Sequence, residues 1–166
     1  MSLKTKTLSI LMLIFVDQII KIVIYHCFFY IKFNIIPSLL YFYPKFNTKY
    51  SYLDGLFNLN IGLFIHVIFT LVLLIIILFI FNYWRKKYRT KLLDFSFIFF
   101  IAGYICVLIG YFWKKGELDY IYLKPLFIFD LKDLYISCFV VLMLLHVIKA
   151  IIYQSNCDKK SKELLP

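Results

Sequence analysis

Residues 56–83 of the chain read LFNLNIGLFIHVIFTLVLLIIILFIFNY, and residues 84–91, which follow directly, read WRKKYRTK. The first segment contains no Asp, Glu, Lys or Arg. It is longer than the roughly 20 helical residues needed to cross a hydrocarbon core about 30 Å thick. The second segment is short and rich in Arg and Lys. An apolar helix that ends in a basic loop is typical of a membrane span, so this stretch predicts a membrane protein.

The composition of the whole chain leads to the same prediction. Hydrophobic residues make up 63% of the 166 residues, and the mean hydropathy is +0.86. A soluble domain has an apolar content of roughly 45–50%. The net charge of +10 does not indicate nucleic-acid binding, because most of the basic residues flank apolar segments and do not collect on a soluble face. We therefore expect membrane lipid, and no nucleic acid, around this chain.

Three further segments are long and apolar enough to cross the membrane, so we predict an all-α membrane protein with a single domain over residues 1–166. The four transmembrane helices are predicted at residues 8–31, 56–83, 92–113 and 131–153. Both termini then lie on one side of the membrane. By the positive-inside rule, the basic loop at 84–91 and the lysines near both termini make that side cytoplasmic. Residues 32–55 and 114–130 are then the outer loops.

The first helix and the first outer loop have features of their own. The N-terminus has the charged-then-apolar pattern of a secretory signal, but its apolar run continues to about Ile31 without a small-residue cleavage site. We expect it to be retained as a helix. In the outer loop, Pro37 and Pro44 argue against a helix, and KYSYL at residues 49–53 shows the alternation of a strand. These features predict a small extracytoplasmic β element.

Cysteine and histidine give no sign of a metal centre. The four cysteines form no CxxC pair, and the three histidines are predicted on three different helices without the spacing of metal ligands. We predict no disulfide, no metal and no cofactor.

The first helix carries Asp17 and Lys21 inside its apolar run. An ionisable side chain in a membrane helix costs at least a few kcal/mol, so it is normally paired or faces a polar interior. The two residues are four positions apart and therefore share one helix face, where they can neutralise each other. The pair indicates either a self-satisfied ion pair that orients the helix or a polar interior with a function.

Acidic residues cluster around the second outer loop. Helix packing could bring Asp119, which follows a turn at Gly116, close to Asp133, which begins the last helix. Two close carboxylates share one proton, so that one activates a water molecule while the other polarises a carbonyl, as in aspartic proteases. The alternative is that Asp133 is an N-cap or first-turn acid and that Asp119 is an ordinary loop residue.

Four short motifs follow one another along the chain: DQIIK at residues 17–21, FNTKYSYL at 46–53, GELDYI at 116–121 and FDLKD at 129–133. Together they resemble the bacterial lipoprotein signal peptidase family, signal peptidase II. The corresponding family patterns are Asp-Gln-x-x-Lys, Asn-Thr-Gly-x-x-Phe, Gly-x-Val-x-Asp-Phe and Phe-Asn-x-Ala-Asp. The resemblance covers nearly the whole chain.

The resemblance implies a membrane aspartic endopeptidase that removes signal peptides from diacylglyceryl-modified prolipoproteins, cutting before the lipidated Cys. It implies a location in the bacterial cell membrane with both termini cytoplasmic. Asp119 and Asp133 would be the catalytic pair. Residues that would support the site or bind substrate are Asp17, Lys21, Asn47 and Asp130. We expect the protein to be a monomer.

The chain also departs from the family pattern. Where the family has Gly-Asn-x-x-Asp-Arg, the ungapped match is CVLIGY at residues 106–111, and Asp130 and Lys132 replace the Asn and Ala before the last catalytic Asp. Lys132 is expected to lower the pKa of a neighbouring carboxylate and so to work against proton sharing. A divergent active enzyme is one interpretation. The alternatives are a catalytically degenerate member that binds lipoproteins or signal helices, and a small structural or transport membrane protein.

Overall fold

The computed structural model describes residues 1–49, 57, 61–88, 90–113 and 115–163, with side chains described as far as residue 153. Within these residues, four helices are long and apolar enough to cross a membrane. Their bounds are α1 Leu3–Val23, continued by a π-helical segment Ile24–Phe28; α2 Leu63–Lys87; α3 Lys91–Gly110; and α4 Leu131–Glu163. The predicted helical membrane fold is confirmed.

Local capping residues set where two of the helices begin. The Ser2 hydroxyl accepts a hydrogen bond from the Thr5 backbone N–H, so α1 starts earlier than its apolar run alone predicts. The Thr90 hydroxyl accepts the Leu93 N–H in the same way and starts α3 directly after the basic loop. At its other end α3 stops at Gly110, short of the predicted residue 113, and the chain turns towards the sheet.

A four-stranded antiparallel sheet lies between the helices in sequence and joins both predicted outer loops. Its strands, in spatial order, are β1 Phe33–Ile36, β2 Leu40–Asn47, β3 Glu117–Leu123 and β4 Phe127–Phe129. The small β element is therefore confirmed, but it also includes the second loop, where no strand was predicted. Of the KYSYL segment, Lys49 lies in a bend and residues 50–53 lie outside the described residues.

Pro44 lies within β2 at an irregularity in its pairing with β3. The register shifts between Phe42 and Lys45, which is where a residue without a backbone N–H is tolerated in a strand. Beyond the shift, pairing resumes as Lys45 opposite Asp119 and Asn47 opposite Glu117. Beyond the irregularity, the end of β2 therefore lies beside Glu117 and Asp119 of β3.

Among the described residues, the most extensive packing between helices is that of α3 against α4. A Cβ atom built on Gly103 would lie 2.9 Å from Cγ1 of Ile136, so the missing side chain lets α4 approach closely. Small residues serve the same purpose in membrane helix pairs generally. In the π-helical segment that continues α1, Ile24 packs against Leu118 and Tyr120 of β3 and connects the sheet to this end of the helix. The start of α4, the end of α1 and β3 thus meet in one place.

Candidate active site

A cluster of buried charged side chains lies where α1, β3 and the start of α4 meet. Its members are Asp17, Lys21, Glu117, Asp119, Asp130, Lys132 and Asp133. All except Asp133 are buried, and the side chain of Asp133 is 41% exposed. Among the residues that the structure describes, Asp133 is therefore the one member of the cluster whose side chain is accessible from outside.

Lys21 forms the lower part of the cluster. Its Nζ lies 3.1 Å from Oδ2 of Asp17, one turn earlier on α1, and 2.7 Å from Oδ2 of Asp130 at the start of α4. The ion pair expected from the four-residue spacing is present, and it has a third member from a different helix. Asp17 and Lys21 therefore support the buried Asp130 in addition to neutralising each other.

Lys132 lies at the centre of the upper part. Its Nζ is 2.9 Å from Oδ1 of Asp130 and 3.3 Å from Oε1 of Glu117, and it donates a hydrogen bond of 3.3 Å to Oδ1 of Asp119. Oδ2 of Asp133 is 3.6 Å away. The side chain is only 3% exposed, so it does not extend to the membrane surface. One ammonium group therefore touches four carboxylates.

Asp130 and Asp133 form a reciprocal cap at the start of α4. The Asp133 backbone N–H donates to Oδ1 of Asp130 at 3.3 Å, and the Asp130 N–H donates to Oδ2 of Asp133 at 3.1 Å. This is the arrangement of a capping box, with Asp in the place of the usual Glu. The capping role considered for Asp133 in the sequence is thus real, and it fixes the position of the carboxylate at the same time.

Asp119 is positioned by the strand pair β2–β3. Nδ2 of Asn47 donates a hydrogen bond of 3.1 Å to Oδ2 of Asp119, and Oδ1 of Asn47 accepts the Lys49 N–H at 3.0 Å. Gly116, just before β3, has φ +99°, and a Cβ atom there would lie 2.7 Å from the Asn47 carbonyl oxygen. Only glycine adopts this turn without strain, so Gly116 allows β3 to run close beside Asn47.

The structure brings together the two acids proposed as a pair from the sequence. One carboxylate oxygen from each of Asp119, Asp130 and Asp133 lies within 4.8 Å of the others. Asp130 differs from the other two because it contacts two lysines, Lys21 and Lys132. Asp119 and Asp133 each lie near Lys132 and form no ion pair with Lys21 among the described contacts.

The electrostatics separate the acids outside the membrane spans. Burial raises the pKa of Asp119, against the effect of Lys132 and with a contribution from Asp130. Burial also raises the pKa of Glu117 to about 8, although Lys132 opposes the change. For Asp130, burial acts in the same direction, but Lys132 and Lys21 outweigh it and lower the pKa. Asp130 is thus ionised at neutral pH, whereas Asp119 and Glu117 hold protons more tightly than ordinary acids.

Three close carboxylates can also form a site for a cation. In this chain the Lys132 ammonium lies within 3.6 Å of an oxygen of Asp130, Asp119 and Asp133. The position that a cation would take among them is therefore filled by a side chain.

Two members of the cluster were not assigned to the site from the sequence. Glu117 is one of the acids around the second outer loop to which the sequence assigned no role, although its place two residues before Asp119 puts both side chains on the same face of a strand. Lys132 was expected to disturb the pair. In the structure it compensates the charge of the carboxylates that surround it.

Comparisons with known proteins agree with the fold and with the motifs. The sequence model of the family described as "Signal peptidase (SPase) II" matches residues 9–149. Two solved structures, both described as a bacterial membrane enzyme determined by the in meso method, at 2.3 Å and 1.9 Å resolution, have TM-scores of 0.68 and 0.69. Each is 19% identical and covers 89% of this chain, and this chain covers 89% and 94% of theirs. No curated protein sequence matches the chain.

The family match extends over the whole sheet and most of each membrane helix. It includes both proposed catalytic acids and the motif in α1. Signal peptidase II is an aspartic peptidase family, which agrees with a site built from carboxylates. The chain therefore belongs to the signal peptidase II family and is a multi-pass bacterial membrane peptidase that processes lipoprotein precursors.

Proposed function

We propose that this chain cleaves diacylglyceryl-modified prolipoproteins before the lipidated Cys with Asp119 and Asp133 as the catalytic pair. The observation that carries the proposal is the placement of a buried and a half-exposed carboxylate within 4.8 Å of each other at the end of the membrane helices. A substrate that enters sideways from the lipid meets Asp133 first. The scissile bond then lies over the pair.

The reaction requires one ionised and one protonated carboxyl group. The ionised carboxylate takes a proton from water, whose oxygen attacks the peptide carbonyl carbon, while the protonated group gives its proton to the carbonyl oxygen. The tetrahedral diol then collapses. The peptide C–N bond breaks as the carboxyl that gained the water proton passes it to the leaving amine, and a diol hydroxyl returns its proton to the other carboxylate. The raised pKa of the buried Asp119 supports a shared proton near neutral pH.

The other predicted site residues contact one member of the pair or the residues that position it. Asn47 holds Asp119 through its amide and so sets the orientation of that carboxyl group. Lys21, with Asp17 behind it, holds Asp130 in its ionised form. Asp130 in turn caps the helix that carries Asp133. We propose that these residues position the pair and take no part in proton transfer.

The test of this function is cleavage of a diacylated prolipoprotein in a host that lacks its own enzyme. Expression of the wild-type chain is expected to convert the precursor to the mature lipoprotein, seen as a mobility shift. Precursor that stays uncut while the chain is present in the membrane would contradict the proposal. Co-purification of uncut precursor with the chain would then favour the lipoprotein-binding alternative.

We also propose that both termini are cytoplasmic and that the protein acts as a monomer. Arg85, Lys86 and Lys87 end α2 in a short basic connection to α3, as expected for a cytoplasmic loop. All seven side chains of the charged cluster come from one chain, so the site needs no second subunit.

Reporter fusions test the orientation. A fusion at Lys87 and one after Lys160 are expected to report a cytoplasmic position, and a fusion near Asp54 is expected to report an external one, because four spans alternate in direction. A cytoplasmic signal from the fusion near Asp54 would reverse the orientation.

A further inference from the structure

Gly110, the last residue of α3, packs directly against the side chain of Glu117. A Cβ atom built on Gly110 would lie 2.4 Å from Oε1 and 3.2 Å from Cγ of Glu117. Glu117 is 3% exposed and fills the volume that a side chain at position 110 would need. In the family pattern compared above, the residue aligned with Gly110 is the Asp of Gly-Asn-x-x-Asp-Arg. Here the carboxylate at this place comes from β3 and not from α3.

The cation that faces this carboxylate also comes from a different element. Tyr111 stands where the pattern has Arg, and its hydroxyl is 2.8 Å from Oγ1 of Thr70 on α2. The buried ammonium group near Glu117 belongs to Lys132 of α4, with Nζ 3.3 Å from Oε1. The site thus contains an acid, Glu117, and a basic residue, Lys132, although positions 110 and 111 carry neither.

We propose that Lys132 is a positioning residue: its ammonium group, which lies between Asp130 and Glu117, keeps the carboxylates of Asp119 and Asp133 side by side. The inference rests on the proposed function of that pair. It reverses the expectation from the sequence that Lys132 weakens the site.

The physical reason is the repulsion between carboxylates. Asp119, Asp130 and Asp133 have oxygens within 4.8 Å of one another in a poorly hydrated site, where like charges repel strongly. A cation that touches all of them offsets this repulsion without occupying the open side of Asp133. Among the described residues, the charged and titratable groups that act on Lys132 are Lys21 on α1, Glu117, Asp119 and Tyr120 on β3, Asp130 and Asp133 at the start of α4, and Tyr111 after α3.

Replacement of the cation by an uncharged side chain of similar length tests the inference. Lys132→Met is expected to lower kcat by about 100-fold, because the carboxylates move apart and small misplacements are costly. The pH profile of the remaining activity should move to higher pH, because Asp119 without its cation keeps its proton to higher pH. Lys132→Arg should recover part of the rate and the original profile. The matched control is Lys124→Met, at an exposed lysine outside the cluster, which should leave both unchanged.

A second test removes the carboxylate from position 117 on β3 and places one at position 110 on α3. Glu117→Ala should lower activity because Lys132 loses one of its four carboxyl contacts, and Gly110→Asp alone should lower it because the new side chain clashes with Glu117. Gly110→Asp with Glu117→Ala should be more active than either single variant. This set keeps Lys132 and therefore decides the question even if Lys132→Met does not accumulate.

Two results would overturn the inference. The first is a Lys132→Met enzyme as active as wild type, or more active, with a superimposable pH profile. The second is a double variant no better than Glu117→Ala. Failure of the proposed function looks different, because it would appear as uncut precursor with the wild-type chain or as wild-type cleavage by Asp119→Asn, whatever the Lys132 variants do.

Discussion

Asp119→Asn and Asp133→Asn are each expected to reduce prolipoprotein cleavage by a factor on the order of 10³–10⁴. An amide can neither accept a proton from water nor share one with the neighbouring carboxyl group, so either change removes the acid–base pair. The measurement is the rate of precursor conversion at equal amounts of enzyme in the same lipid. Wild-type rates from either variant would remove that residue from the catalytic role.

The fold is expected to survive both changes. Asn at position 133 still offers an oxygen to the Asp130 N–H, so the cap of α4 is preserved. Asn at position 119 keeps an oxygen for the Asn47 amide. A matched control is Asp94→Asn. Asp94 lies in the first turn of α3, at the opposite end of this helix from Gly110, and it pairs with Lys6 of α1 and with the N-terminal amine. This variant should cleave at the wild-type rate.

Lys21→Met is expected to destabilise the protein by about 3–5 kcal/mol, because it removes a shared partner from two buried carboxylates. Asp17 and Asp130 are both 0% exposed, so water cannot replace the lost ammonium group. Loss of Lys21 also leaves Asp130 dependent on Lys132 alone. Thermal unfolding in detergent micelles is the measurement, with abundance in the membrane as a second readout.

A second substitution separates charge from shape in this experiment. Asp17→Asn added to Lys21→Met removes the carboxylate that has lost its lysine partner, and it should therefore restore part of the lost stability. Lys124→Met, at the exposed lysine used as a control above, should unfold at the wild-type temperature. A Lys21→Met protein as stable as wild type would show that the Lys21 ion pairs contribute little to the fold.

The membrane helices were predictable from sequence because each is encoded locally. An apolar run either is or is not long enough to cross the membrane, and residues such as Arg85 and Thr90 mark its ends. The sheet was only half predictable. β3 pairs with β2, which is distant in sequence, and only its first four residues, 117–120, alternate between polar and apolar side chains before the alternation ends in residues 121–123.

The site shows the same division. The spacing of Asp17 and Lys21 predicted their ion pair, and motif order pointed to Asp119 and Asp133 as partners. The direction of Lys132 was not predictable, because adjacent residues on a helix point about 100° apart and the choice between lipid surface and interior depends on what packs there. What packs there is Glu117, and its position depends on the absent side chain of Gly110.

Asp17 and Lys21 leave the ribosome on the same helix and reach the membrane together. Asp130 and Lys132, which complete the cluster, are synthesised more than a hundred residues later. During that interval α1 must reside in lipid without its final partners, and the cost of a lone intramembrane charge would favour its slipping back into water. An ion pair between the two side chains, whose charged atoms are 3.1 Å apart in the folded chain, would offset these two charges while α1 inserts. The four-residue spacing is therefore useful during membrane insertion as well as in the finished enzyme, because it pairs the two charges of α1 before α4 has been synthesised.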